Sequence, residues 1–311
     1  MRSDAQPLWD VLGLGIVAVD DLYYVAHFPE PDTKRPLLAE RRQGGGLTGT
    51  ALVAAARLGV RAAYCGVMGH DELALFTLEE LAREGVDCSP VLRRPTARPI
   101  HAVIVVEQAT GRRTILYTHE GFVTPAPEEI SEALIGRCRV LLMDGYAGEG
   151  GVRAGQIARH LGIPFVADIE RMEEPTSRAL FDLADHLIVG VETASQATGA
   201  RDPAVAAARL ARSGRACCAV TAGEQGCWYA VAGGPVRHFP ALRVQVVDTT
   251  GCGDVFHGAY AAALARGATV ERAIQIATVA AGLKATRPGG RPGIPDWATV
   301  EAHLAAHRPA S

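Results

Sequence analysis

Lysine is nearly absent from this 311-residue chain: of 31 lysine and arginine side chains, two are lysines, Lys34 and Lys284. Neither stands in a G-x-x-x-x-G-K-[ST] pattern, so a Walker-type phosphate loop is excluded. Neither context suggests a Schiff-base lysine. Cysteine is present but unpatterned. Cys65, Cys88, Cys138, Cys217, Cys218, Cys227 and Cys252 are odd in number and form no C-x-x-C, which fits neither a disulfide framework nor a zinc ribbon. No apolar run approaches the roughly 18–20 residues of a membrane span, and Met1–Pro7 carries no apolar signal core. A net charge of −3 without a basic stretch argues against a nucleic-acid partner. These absences lead us to expect a soluble, cytoplasmic globular protein with no membrane partner.

The 48% hydrophobic content over this length supplies a large buried core. Short apolar runs alternate with Ala/Leu-rich amphipathic stretches, the pattern of βα units around a mostly parallel sheet. Strands are predicted at 10–19, 62–67, 140–143, 165–168, 186–189, 216–221 and 227–230. Helices are predicted at 51–58, 73–84, 127–135, 151–160, 176–183, 203–213, 255–266, 270–285 and 297–307. Gly59, Gly85, Gly162, Gly214 and Gly267 follow helical runs, as left-handed caps do. Two stretches break the rhythm. Residues 22–42 are Pro-rich and β-like, and 100–118 read as a hairpin turning near Thr110-Gly111. The expectation is one α/β domain over residues 1–311 with a small β lid assembled from these two insertions. An exposed lid also presents edges through which two copies could pair.

The richest segment is Val246-Val247-Asp248-Thr249-Thr250-Gly251-Cys252-Gly253-Asp254-Val255-Phe256-His257-Gly258-Ala259. A strand end meets two glycines one residue apart, then an acid, then a helix of small residues. Gly251 and Gly253, on either side of Cys252, can turn successive N–H groups into an anion-binding nest. The helix that follows adds its positive end. Asp254 is placed to accept a proton from an attacking hydroxyl while the nest takes phosphate charge. A Gly-rich turn capped by Asp254 would read the same way from chemistry alone.

This segment resembles the C-terminal signature of the ribokinase-like (PfkB) carbohydrate kinases, and the resemblance runs over nearly the whole chain. Gly15-Ile16-Val17-Ala18-Val19-Asp20 is similar to the family's first strand. Gly44-Gly45-Gly46-Leu47-Thr48-Gly49-Thr50-Ala51 resembles its N-terminal signature, Thr221-Ala222-Gly223-Glu224-Gln225-Gly226 its nucleotide-phosphate loop, and 287–295 its closing loop beside the adenine and monovalent-cation sites. The resemblance implies a three-layer α/β/α fold and transfer of the γ-phosphoryl of MgATP to a hydroxyl of a sugar. By it, Asp254 is the base and Gly251–Gly253 the anion hole; Asp20, Gly45, Gly46 and Thr50 meet the sugar. Thr221, Gly223, Gly226 and Thr278 meet the nucleotide, Asp248 and Thr250 a monovalent cation such as K⁺, and Glu192 Mg²⁺.

Several positions depart from the family pattern. Thr50 stands where the N-terminal signature has Asn, and Gly190-Val191-Glu192-Thr193 stands where N-x-x-E is expected. Tyr146 falls where an acidic sugar contact belongs, with Asp144 two residues before it. His257 replaces the usual Asn, which resembles the sugar-phosphate and sulfosugar branches, such as the sulfofructose kinases. Two other readings stay open. One is a catalytically silent sugar or nucleotide sensor on this fold. The other is an NAD-dependent oxidoreductase, from Gly13-x-Gly15-x-x-Ala18, which requires a helix directly after those glycines. His303 and His307 share a helix face without the intervening Glu of a zinc site. His119, Glu120, Arg112 and Arg113 lie where a lid could meet substrate, and Glu149 and Asp168 end predicted strands.

Overall fold

The computed structural model describes residues 7–110, 112–211 and 214–306. Its strands are β1 (Trp9–Leu14), β2 (Ala18–Val25), β3 (Ala39–Gly45), β4 (Ala62–Tyr64), β5 (Val67–Met68), β6 (Leu92–Arg93) and β7 (Ile100–Glu107). They continue with β8 (Arg113–Thr118), β9 (Cys138–Asp144), β10 (Phe165–Asp168), β11 (His186–Gly190), β12 (Cys217–Thr221), β13 (Cys227–Val231) and β14 (Val236–Phe239). Eight of them form a central sheet in the order β14-β13-β12-β11-β10-β9-β1-β4. Pairing is parallel from β4 to β12 and antiparallel for β13 and β14. The parallel strands are apolar throughout (Val140, Leu141, Leu142 and Met143 are all buried), as strands covered on both faces must be.

Helices close both faces. On one side lie α1 (Leu47–Arg57) and α2 (Glu72–Arg83). The other face carries α3 (Glu132–Ile135), α4 (Gly148–Leu161), α5 (Pro175–Leu183), α6 (Val191–Thr198) and α7 (Pro203–Ala211). The chain then returns to the first side with α8 (Cys252–Ala265), α9 (Val270–Lys284) and α10 (Trp297–Ala306). The result is three layers with one apolar core on each face of the sheet. Helix α8 is buried nearly all round and crosses α1 so tightly that a Cβ on Gly258 would collide with the Ala51 carbonyl.

A second sheet, in the order β3-β2-β7-β8, stands apart from the first. It takes in parts of both 22–42 and 100–118. The predicted strand over 10–19 is two strands in two sheets. The break is at Gly15, held at φ +152, where a Cβ would strike the Asp144 carboxylate and the Thr48 hydroxyl. Asp144 fixes this break: it accepts from Ile16 N (2.7 Å), Thr48 Oγ1 (2.8 Å) and Tyr146 N (2.8 Å). The chain therefore leaves Gly13 and Gly15 as strand β2 rather than as a helix, so the dinucleotide fingerprint does not form. The predicted helix 127–135 is a 3₁₀ turn at Pro127–Glu129 followed by α3. Helix α6 and strand β14 were not anticipated. Gly111, Ser213, His307 and residues 1–6, on which some expectations fall, lie outside the described residues.

Candidate active site

The carboxyl edge of the central sheet, where ligands bind in open α/β folds, gathers the chemistry. Gly251 sits at φ +76 and caps α8, a left-handed conformation in which only glycine is unstrained. Its Cα lies against the loop that follows α9, since a Cβ there would come within 2.8 Å of the Gly290 oxygen. Gly253 has open space before it. Cys252 and Gly253 form the floor of a cleft of about 960 Å³. Its apolar lining includes Ala241, Leu242, Val246, Ala281 and Ala285. Gly223 and Gly226, after strand β12, line it too, with Gly226 packed against the Ala241 backbone. Thr221 and Thr278 both line it, and the Thr278 hydroxyl donates to the Ile274 carbonyl (2.8 Å) of its own helix.

Asp254 is in the first turn of α8. Burial raises its carboxyl well above the ordinary range, and the charges of Asp168, Glu170 and Asp144 raise it further, opposed by Arg291. Asp168 ends β10 and is pushed up to about 6, chiefly by burial; His257 opposes this. Nδ1 of His257 lies 2.8 Å from the Gly253 carbonyl and 3.2 Å from Asp168 Oδ2, and Nε2 lies 3.0 Å from the Ile188 carbonyl. This ring ties the first turn of α8 to β10 and β11. Asp144 is likewise raised to about 6 by burial, but its hydrogen bonds are spent inside the fold.

Asp20 stands on β2, opposite Gln43 of β3 in the sheet register, and burial raises its carboxyl against the pull of Arg291. Its carboxylate rests on Gly45, where a side chain would collide with it. Gly46 caps α1, and Thr50 is buried in the first turn. Arg291 joins the two halves. It is 6% exposed, packs under Gly44, donates to the Gly45 carbonyl at 3.0 Å and feels the charges of both Asp20 and Asp254. Its Nε and Nη1 are buried with no hydrogen-bond partner among the described residues. The fold thus brings Asp20, Gly45 and Gly46 to one side of Arg291 and Gly251, Gly253 and Asp254 to the other.

Residues 11–297 match the model of the pfkB family carbohydrate kinases. The chain belongs to this family. The kinase is 25% identical over 295 residues to ribokinase of Haemophilus influenzae, covering 91% of this chain and 94% of that one. It is 26% identical over 290 residues to mouse ketohexokinase, with 88% and 95% covered. A crystal structure from Agrobacterium tumefaciens superposes with TM-score 0.89 at 29% identity, over 97% of this chain and 99% of that one. Arabidopsis thaliana ribokinase complexed with ribose and ATP shares the fold, with TM-score 0.82 at 21% identity and 96% and 99% covered. The kinase is therefore a phosphotransferase acting on a sugar alcohol, on a ribokinase-like three-layer fold.

Other anticipated residues in the kinase fall as follows. Glu192 is exposed in the first turn of α6, next to the end of β11. Asp248 accepts from Thr250 N and Oγ1 and from Gly289 N, and these bonds, with Lys284, hold its carboxyl low despite burial. Glu149 is exposed in the first turn of α4. His119 stacks with Tyr146 at 6.4 Å beside Tyr117. Arg113, on β8, reaches Asp248 at 3.7 Å. Sequence reasoning assigned no role to Arg291 or Glu170. Arg291 sits inside the closing-loop motif, and the signal was there: an arginine in a loop of glycines has no local partner. Among the described residues, no three His, Cys, Asp or Glu side chains could hold a metal, and no helix is long and apolar enough to cross a membrane.

Proposed function

We propose that this kinase moves the γ-phosphoryl group of MgATP to a hydroxyl, most simply a primary one, of a sugar or sugar derivative. The observation that carries this reading is Gly251, left-handed and capping α8, with Asp254 one turn inside. The apolar lining of the 960 Å³ cleft suits the adenine ring, and Gly223, Gly226 and the N–H groups at 251–253 suit the phosphates. The acceptor lies against Asp20, Gly45, Gly46 and Thr50. Asp254 takes the proton of the attacking hydroxyl as the new O–P bond forms and the bond to ADP breaks. The nest holds the charge that develops on the transferred group. The carboxylate form does this, and its raised proton affinity makes it a stronger base than an exposed aspartate.

Glu192, exposed in the first turn of α6, is a carboxylate that fits Mg²⁺, which is commonly held by one or two carboxylates plus substrate phosphates. When bound, Mg²⁺ neutralises phosphate charge. The second sheet acts as a lid that keeps water from the phosphoryl group. Its edge strands β3 and β8 offer surfaces through which two copies pair.

Coupled ADP release with MgATP across ketoses, aldoses, sugar phosphates, sulfofructose and nucleosides tests the reading. A substrate-dependent signal is expected, falling about 10²–10⁴-fold in Asp254→Asn with ADP binding retained. Residual turnover above about one per cent would remove Asp254 as the base.

A further inference from the structure

Lys284, at the last turn of α9, is completely excluded from solvent, and its Nζ donates to the main-chain oxygen of Asp248 at 2.8 Å. This contact lies in a joint between two backbone segments. Val247 N and Asp248 N both donate to the Ala285 oxygen, at 2.8 and 3.1 Å. Gly289 N closes the joint on Asp248 Oδ2 at 2.8 Å, and Thr250 N and Oγ1 close it on Oδ1 at 2.8 and 2.7 Å. Three residues further along the chain the anion nest begins. The oxygen bonded to the ammonium is the Asp248 carbonyl, and the carboxylate of the same residue adds its negative charge; oxygen donors of this kind are what a hard cation takes. The family resemblance places K⁺ beside Asp248 and Thr250. Here the ammonium of Lys284 is already bonded to the Asp248 oxygen, with the charge of K⁺ and a similar radius.

We infer that Lys284 is the built-in cation of this joint and takes the place of a bound K⁺, so that the nucleotide side of the site is formed without a monovalent ion. The titratable and charged groups whose charge the ammonium feels are Cys252, the Asp248 carboxylate, Arg113 and Asp254. Without the ammonium the Asp248 carboxylate would keep its hydrogen bonds and the half-exposed Arg113 at 3.7 Å, but lose its buried counter-charge. A tethered ammonium is dehydrated and ordered once, as the chain folds, whereas a free ion must be drawn from solution and dehydrated on each binding. Lying at the carboxyl end of α9, it also meets the negative end of that helix. The joint fixes the approach to Gly251, so a cation here shapes the nest without touching the phosphate.

The inference rests on the nucleotide reading of the cleft in one arm of its test and is independent of it in the other. MgADP binding by calorimetry and thermal unfolding are measured in tetramethylammonium and in K⁺ buffers of equal ionic strength, for wild type, Lys284→Ala and Lys284→Gln. Wild type should show the same affinity, within about 1.5-fold, and the same unfolding midpoint in both buffers. The variants should bind MgADP about tenfold more weakly in tetramethylammonium, as expected when a buried anion loses its partner. K⁺ should restore most of that loss and raise the midpoint, because it can enter the vacated position and tetramethylammonium cannot. A wild-type affinity or midpoint that rises markedly with K⁺ would overturn the inference, as would variants indifferent to K⁺. Should wild type bind no MgADP in either buffer, the nucleotide reading fails. The midpoints still decide: an indifferent wild type with K⁺-stabilised variants upholds the built-in cation. If neither variant folds, the wild-type comparison decides alone.

Discussion

Asp254 lies among Asp168, Glu170 and Asp144, with Arg291 as its counter-charge. Its folded-state proton affinity is above that of the unfolded chain, so the native state holds more protons in the window from pH 3.8 upward to the raised value. Stability therefore falls as pH rises through that window. Asp254→Asn, which should lose turnover, is accordingly expected to unfold at a temperature about 2–4 °C higher at neutral pH and to match wild type near pH 4. Calorimetric scans at the two pH values check this. A second expectation concerns Asp168. Removing its charge in Asp168→Asn lowers the proton affinity of Asp254, so the acid limb of kcat/KM should move to lower pH. An unmoved limb would separate Asp168 from the base. At this scale the sequence was informative where the signal is local. Gly251, Gly253 and Asp254 declare themselves by adjacency, and the left-handed turn is where two glycines required it. Arg291 did not, because its orphaned donors arise only when Gly44, Gly45 and the closing loop meet in space.

At the level of elements, α8 carries the site and α1 carries its acceptor side, and the two helices touch at Gly258 and Ala51. Any side chain at 258 must push them apart. Gly258→Ala should cost about 1–3 kcal/mol in urea unfolding and also weaken acceptor affinity more than ADP affinity, since α1 moves relative to α8. Equal loss of both affinities would mean the helices shift as a unit. The same level shows where pattern reading stops. After Asp10 the run to Val19 is apolar apart from Gly13 and Gly15, and it gives no period to mark a change of sheet. The change is imposed by Asp144 and Thr48, 128 and 32 residues distant from Ile16 in sequence, which bind the turn after Gly15. Helix α6, Val-Glu-Thr-Ala-Ser-Gln-Ala-Thr, is polar and rich in poor helix formers; it is made by burying Thr193 and Ala194 against the sheet. The core strands β9 to β12 were legible because burial on both faces writes a continuous apolar run.

Across the whole molecule, the second sheet is anchored at several places, by the run of β3 into α1 through Gly46 and the bond of Arg291 to the Gly45 carbonyl, and at two more. At one, β1 runs into β2 through Gly15. At the other, Arg113 of β8 approaches Asp248 at 3.7 Å. All six residues of β8 are exposed, among them Ile115, Leu116 and Tyr117, and Leu37 and Leu38 are exposed ahead of the opposite edge strand. If two copies pair through these edges, Leu116→Glu should shift sedimentation equilibrium toward monomer, with thermal unfolding little changed. A wild type that sediments as a monomer would leave the lid edges to solvent.

The sequestration of Lys284 leaves a practical asymmetry. Lys34, in the exposed segment between β2 and β3, is the one lysine side chain that a reagent in solution can reach. Apart from the chain's amino terminus, amine-directed labelling therefore addresses a single point, and that point is on the second sheet's connecting loop rather than on the body of the kinase. A dye placed there would report the movement of that sheet without any engineered cysteine.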